Sequence, residues 1–210
     1  MMETAEVTHL RSVDMKPWLG LAFLLVTAAL PVTGPHPFAK AKVGDWIEYH
    51  FDFALDGKPL AVRGEPVLGQ VRMHVKAREK DTLKVEYISL NVPPHIGVPP
   101  SIFTVRLDKP FALPAYEEEK EGRKREGIQV TYQSITSGKE TLTLQGKKYS
   151  CTWVRRIGTY QRENTQDKVE STLWYCDAVP LDGMVKSVVI TSTSKVVQTM
   201  TNYGRASDKQ

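Results

Sequence analysis

The chain has 210 residues, 41% of them hydrophobic and 25% charged, with a formal net charge of +4. That composition fits one globular domain, or one domain behind a processed leader, with room for a single sizeable core. The mild basic balance argues against a nucleic-acid-binding face, because the densest basic run, Lys120 to Arg125, directly follows Glu117, Glu118 and Glu119 and reads as a solvated mixed-charge loop.

The first forty residues carry a leader. In KPWLGLAFLLVTAALPVTG, Lys16 precedes an uncharged, mostly apolar run from Pro17 to Val32, and small and proline-rich residues follow. A positive residue, an apolar run and a small-residue cut site form the layout of a secretory signal peptide. The strongly apolar part, Trp18 to Leu30, is 13 residues long, short of the roughly 20 that a spanning helix needs; an uncleaved anchor is the alternative. Glu3, Glu6 and Asp14 are foreign to the start of such a leader, so translation from Met15 fits better. The cut falls after Gly34 or after Ala41, where Ala39-Lys40-Ala41 matches the A-x-A pattern. No cysteine lies near either site, the two being Cys151 and Cys176, so no lipidated N-terminal cysteine is expected to anchor the product. The expectation is a signal peptide region over 1–41 and a single β domain over 42–210. Export to the periplasm or beyond follows, with the membrane touched only transiently through the leader.

From residue 44 onward the hydrophobic period is two, the period of a strand with one packed and one wet side. In GDWIEYHFDF, Ile47, Tyr49, Phe51 and Phe53 share one face, and Glu48, His50 and Asp52 share the other. Asp56-Gly57 supplies a turn. VLGQVRMHVKAR repeats the pattern, with Val71, Met73, Val75 and Ala77 inward and Gln70, Arg72, His74, Lys76 and Arg78 outward. A short hairpin at Glu79 to Asp81 leads into TLKVEYISLNV, where Leu83, Val85 and Tyr87 continue the apolar face. PPHIGVPP, residues 93–100, lacks too many backbone donors for a central strand; it is a rigid crossover, or a cover over a cavity mouth through Ile96 and Val98. After SIFTVRL, the stretch FALPAYEEEKEGRKREG alone has helical composition, broken by Gly122 and Gly127, and could serve as a flap.

Further strands are expected at about 128–136, 140–145, 148–160, 167–176, 184–192 and 195–203. Turn signals separate them at Ser137-Gly138, Gln145-Gly146 and Thr191 to Ser194. The fold class is all-β, or mainly β with one short helical or irregular segment: a curved antiparallel sheet of about ten strands forming a half-barrel, barrel or sandwich.

Antiparallel pairing keeps the sum of partner numbers constant, so one register is testable at several positions. Placing Cys151 opposite Cys176 puts Trp153 opposite Trp174, Val154 opposite Leu173 and Thr152 opposite Tyr175, and leaves Arg162 to Thr165 as a loop. Like meets like on both faces. Facing Cβ atoms are about 4.5–5.5 Å apart, near the roughly 3.8 Å of a disulfide. In an exported protein a Cys151–Cys176 bridge is therefore expected, with two free buried thiols as the alternative. Two cysteines without nearby histidines make no zinc site, and no metal is expected. Beyond Cys176, Pro180 cannot donate to a ladder, Asp182-Gly183 reverses the chain and Met184 starts a new strand. VPLDGMVK is thus a corner, marked by Pro180, Gly183 and Lys186, that redirects the sheet.

GDWIEY near the mature N-terminus, GKKYSCTWV after a hairpin, and a tryptophan strand running into a Val-Pro-x-x-Gly-x-Val-Lys corner resemble one group of secreted bacterial proteins. That group is the lipoprotein-carrier-like (LolA/LolB-like) half-barrels, with their domains of unknown function. The resemblance runs over residues 42–203 in order of elements, and it implies a curved antiparallel sheet around an apolar groove for lipid or acyl chains.

No catalytic constellation emerges. The five histidines are scattered, with His50 and His74 on polar strand faces, and Ser192-Thr193-Ser194-Lys195 matches S-x-x-K only where a hairpin turn is expected. G-x-S-x-G, P-loop, H-E-x-x-H and dinucleotide glycine patterns do not occur. The sequence therefore points to a non-enzymatic exported protein without a cofactor. Its groove, lined by Ile47, Tyr49, Phe51, Val71, Met73, Val75, Leu83, Val85 and Tyr87, would take a hydrophobic small molecule or lipid. The alternative is an envelope assembly module with a closed core, binding another envelope protein through an edge strand.

Overall fold

The computed structural model describes residues 36–206 except 60, 63–64, 67, 91–99, 109–128 and 163–164. The expected leader up to residue 35, residues 93–99 of the proline connection and the helix-leaning stretch at 111–127 lie outside the described residues.

The strands are β1 (Trp46–Leu55), β2 (Lys58–Pro59), β3 (Ala61–Val62), β4 (Glu65–Pro66), β5 (Leu68–Glu79), β6 (Thr82–Leu90), β7 (Ser101–Arg106), β8 (Gln129–Leu144), β9 (Lys147–Arg162), β10 (Thr165–Tyr175), β11 (Met184–Thr191) and β12 (Ser194–Gly204). Ten of them form one antiparallel sheet in the order β7-β6-β5-β1-β12-β11-β10-β9-β8, with β2 beside β1; β3 and β4 pair separately. The sheet is open. Two meanders, β5–β6–β7 and β8 to β12, run outward from β1, and β12 returns to pair with β1 along Trp46↔Gly204 to Leu55↔Ser194.

The expected all-β fold is borne out, and alternation explains the layers. Ile47 on β1, Val75, Leu83 and Val85 on one meander and Val169, Leu173 and Val189 on the other belong to one buried cluster. Among the described residues the only helix is the four-residue 3₁₀ turn Pro37–Lys40, and none of them forms a helical layer over this face. The sheet buries it by curling on itself, which makes it the concave side.

Turn chemistry follows φ. Asp56 and Gly57 stand at φ 49° and 74°, and Gln145 and Gly146 at 50° and 77°, the left-handed pairs that two-residue hairpins require. The expected turn at Ser137-Gly138 is overturned, because β8 runs through it to Leu144. Gly138 is needed for closeness: a Cβ there would lie 2.7 Å from the Trp153 ring. The register proposed from the cysteines holds from Tyr175↔Thr152 through Trp174↔Trp153 to Thr165↔Arg162, which leaves two residues in the loop and corrects the expected four. The inward assignment of Ala77 also fails. A bulge at Lys76 sets Ala77 against Lys84 and Arg78 against Leu83, exchanging the sides of the last residues of β5.

Residues 36–45 are folded against the sheet. Phe38 and Ala41 are buried in the core, and the Arg78 guanidinium donates to the Ala39 and Ala41 carbonyls at 3.1 and 2.6 Å. The Gly-Asp-Trp stretch acquires a physical role here. Gly44 adopts φ 92°, the buried Asp45 carboxylate accepts from the Lys42 and Ala206 amides at 2.9 Å each, and Trp46 stacks under Arg72, 5.0 Å from guanidinium to ring.

Candidate functional site

The nine apolar residues expected to line a groove all lie on the concave face, within the one buried cluster. None is more than 9% exposed. They form a packed wall on β1, β5 and β6.

Polar side chains break this apolar surface on the opposite meander and at the corner. Tyr49 reaches from β1 to donate its hydroxyl to the Met184 carbonyl at 3.0 Å, with Asp182 Oδ1 3.4 Å away. The Met184 amide donates to the same Asp182 oxygen at 3.1 Å. Burial pushes the Asp182 carboxyl up to about 6, against the lowering effect of the Met184 and Asp182 amides and the Tyr49 hydroxyl. Burial raises the Tyr49 phenol further, with Asp182 and Tyr175 adding to it. Tyr175 follows Leu173 by two positions and so shares the concave face. Its phenol is raised by burial and by Asp182, and lowered by Arg156.

Arg156 lies at the centre of the β8–β10 half. It is 1% exposed, opposite Ser171 in the β9–β10 register, on the side that Val154 and Leu173 share. Its guanidinium stands 5.3 Å from the ring of Tyr132. Tyr132 faces Gly158 across β8–β9, just before a bulge ending at Ser134. A Cβ on Gly158 would lie 2.3 Å from the Thr131 carbonyl oxygen. The glycine lets β8 approach closely enough for the tyrosine ring to meet the arginine. The Tyr132 Oη and Ser171 Oγ atoms are buried without a hydrogen-bond partner among the described residues.

The corner forms as expected. The Cys176 amide donates to the Gly183 carbonyl at 2.7 Å, the Val179 amide to Cys176 and the Gly183 amide to Pro180. Gly183 stands at φ 74°, and Leu181 holds the left-handed φ of 61°, unusual for leucine, with its side chain buried in the core. Lys186 leaves the corner to lie 5.4 Å over the Trp174 ring, whose Nε1 donates to Glu140 at 2.8 Å. The expected disulfide is absent: Cys151 and Cys176 are free buried thiols. The ladder explains this, since pairing ends at Tyr175↔Thr152 and the Gly183 bond turns Cys176 out of strand geometry. The Cys151 thiol points back, donating to the Tyr149 carbonyl at 3.4 Å, and burial pushes its ionisation up.

Other sequence candidates fall where they were expected. His50 pairs with Asp52 at 3.1 Å, and His74 lies 3.9 Å from Glu86 on the convex face. Ser192 sits in the β11–β12 turn, its hydroxyl bonded to Asp167 at 2.5 Å. Among the described residues no cluster of three His, Cys, Asp or Glu side chains could hold a metal ion, and no helix is long and apolar enough to cross a membrane.

The chain matches no protein family model and no curated protein. Among solved structures it is similar to a protein of Bacteroides fragilis NCTC 9343 with a YmcC-like fold, whose name makes it a candidate exported protein. The identity is 13%, over 79% of this chain and 97% of that one, with a TM-score of 0.51. The likeness is one of fold. A DUF1329 family protein from Desulfovibrio piger ATCC 29098 shares 11% identity over 92% of this chain and 94% of that one, with a TM-score of 0.25.

Sequence reasoning missed Arg156, Tyr132, Tyr175 and Asp182 as a group. One signal was present: the register that pairs Val154 with Leu173 also pairs Arg156 with Ser171, which puts an arginine on the apolar side.

Proposed function

We propose that this is an exported, non-enzymatic protein that holds an amphiphilic ligand on the concave face of its sheet by burial, without covalent chemistry. The observation that carries the reading is a pair of buried hydroxyls, those of Tyr132 and Ser171, that meet no partner among the described residues on a largely apolar face. An interior shaped by packing alone avoids such groups, because buried polar atoms are costly unless hydrogen-bonded. A mostly apolar surface with a few convergent polar groups is instead the common form of a small-molecule site. The curved open sheet and the resemblance to lipoprotein-carrier-like half-barrels support the same reading. Each acyl methylene withdrawn from water would contribute about 0.8 kcal/mol, so a short buried length gives useful affinity.

Native mass spectrometry of protein purified from the exported fraction tests this. A copurifying amphiphile that leaves on organic extraction is the expected result, and a ligand-free mass with no uptake of added long-chain amphiphiles overturns it. A second reading, an envelope assembly module, draws on β8. This strand runs from Gln129 to Leu144 at the sheet's edge, with no strand beyond it among the described residues, and a long open edge is a template for strand addition.

A further inference from the structure

We propose that β8 is a self-association edge, on which a second copy of this chain docks by adding its own β8 antiparallel about a two-fold axis through Ser137; this names a partner for the edge that the assembly reading draws on. Strand β8 runs from Gln129 to Leu144, and among the described residues no strand pairs with its outer side. Ser134, Ile135, Thr136, Ser137, Lys139 and Glu140 are all exposed, so side chains on both faces of the strand are uncovered. Sheet edges are ordinarily blunted by shortness, charge or proline. The opposite edge, β7, follows that rule, being six residues long and ending in Arg106. Strand β8 does not, because Gln129 to Gly138 contain no charge and no proline. Its protective feature is the bulge between Tyr132 and Ser134, which turns the start of the strand aside and leaves the regularly paired stretch from Ser134 onward as the open edge.

The occupant follows from symmetry and charge. Directly opposed residues of an antiparallel pair point to the same face, so two copies of one strand continue the sheet only when the axis passes through a residue. An axis through Lys139 or Glu140 would set like charges directly opposite each other, which is unfavourable. An axis through Ile135 or Thr136 would draw Gln133, at the bulge, into the pairing, and one through Gly138 would leave no side chains to meet at the centre. With the axis through Ser137, that residue meets its own copy, Thr136 meets Gly138, Ile135 meets Lys139 and Ser134 meets Glu140. The Ser134 hydroxyl can donate to the Glu140 carboxylate, which is already oriented by the Trp174 Nε1 donor at 2.8 Å. The Lys139 methylenes cover Ile135, which is 48% exposed in the single chain. A two-fold contact of this kind uses the long edge of both copies and closes at the dimer.

The test is sedimentation velocity of the folded protein from about 5 to about 200 μM, with Ser137→Lys, Ser137→Asp and, on the other edge at the 62% exposed Ile102, Ile102→Lys. The parent is expected to pass from monomer to dimer over this range. Each Ser137 variant sets two like charges across the axis and is expected to stay monomeric at the highest concentration. Because the side chain is exposed, both should melt with the dilute parent. An equimolar mixture of the lysine and aspartate variants is expected to dimerise again, since opposite charges then face each other. The Ile102→Lys variant is expected to dimerise like the parent. A parent that is monomeric at the highest concentration overturns the proposal and leaves the assembly reading standing, with a strand of another protein as its partner. If the Ser137 variants dimerise like the parent, or if Ile102→Lys alone abolishes the dimer, the copies meet elsewhere and the proposal falls. Ser137 variants that stay monomeric even when mixed overturn the axis at Ser137.

Discussion

Asp182 is a carboxylate placed where ionisation is costly. Burial lifts it to about 6 despite hydrogen bonds that favour its charged form, so in the folded state it holds its proton over a pH range where the unfolded chain has lost it. The sign follows from linkage: between about pH 4 and 6 the native state binds more protons, and stability falls as the pH rises. Lowering the pH from 7 to 5 should therefore raise the melting temperature through this group. His36 acts in the opposite sense, since burial lowers its ionisation, and its protonation costs stability as the pH falls. The Asp182→Asn variant separates the two, because it keeps an acceptor for the Met184 amide and abolishes the titration. The difference in melting temperature between parent and variant should shrink as the pH falls from 7 to 5. A difference that is constant over that interval would show that Asp182 titrates at its ordinary value.

At the scale of elements, the segment before β1 belongs to the domain. Phe38 is 1% exposed and Ala41 likewise, and Arg78 clasps both carbonyls that follow Phe38 and Lys40. Leader removal after Ala41 would take this plug away, whereas removal after Gly34 keeps it. Emptying a buried phenylalanine site costs about 3–5 kcal/mol, so a form spanning 42–210 should be less stable than one spanning 35–210 by at least about 3 kcal/mol in urea. Equal midpoints would mean that the segment only rests on the surface.

The same scale shows what could be read in advance. Period-two alternation located the main strands, and one paired register fixed β9 against β10 to the residue, because both signals are local to one or two strands. Four register breaks, at Glu48/Tyr49, Val75/Ala77, Tyr132/Ser134 and Trp174/Tyr175, escaped. A bulge changes face without changing composition, and it is set by the neighbouring strand. Gly138 looked like a turn because glycine has two uses, left-handed backbone and close approach, and only the position of Trp153 decides between them. The polar group on the concave face needs the registers of β8, β9 and β10 together with the corner, and no single stretch of sequence holds that information.

At the scale of the whole molecule, β12 is the seam. It pairs with β1 on one side and with β11 on the other, and it sends Val196 and Met200 into the cluster shared by both meanders. Among the described residues the β5–β7 meander has no other hydrogen-bonded route to the β8–β11 meander than through β1 and β12. With the core continuous across this seam, the halves should unfold together and not in turn. Leu83 on β6 and Leu173 on β10 are both fully buried and lie in opposite meanders. Leu83→Ala and Leu173→Ala should each cost about 2–5 kcal/mol, and the double variant should lose roughly the sum, as for distant sites. The halves carry separate reporters: Trp46 precedes the first meander, and Trp153 and Trp174 lie in the second. In urea, a variant retaining only Trp46 and one retaining only Trp174 should show the same midpoint, and each leucine substitution should move both midpoints equally. If Leu173→Ala shifts the Trp174 transition and leaves that of Trp46 in place, the curled sheet is two independent half-sheets, and a ligand held on one half could not stabilise the other.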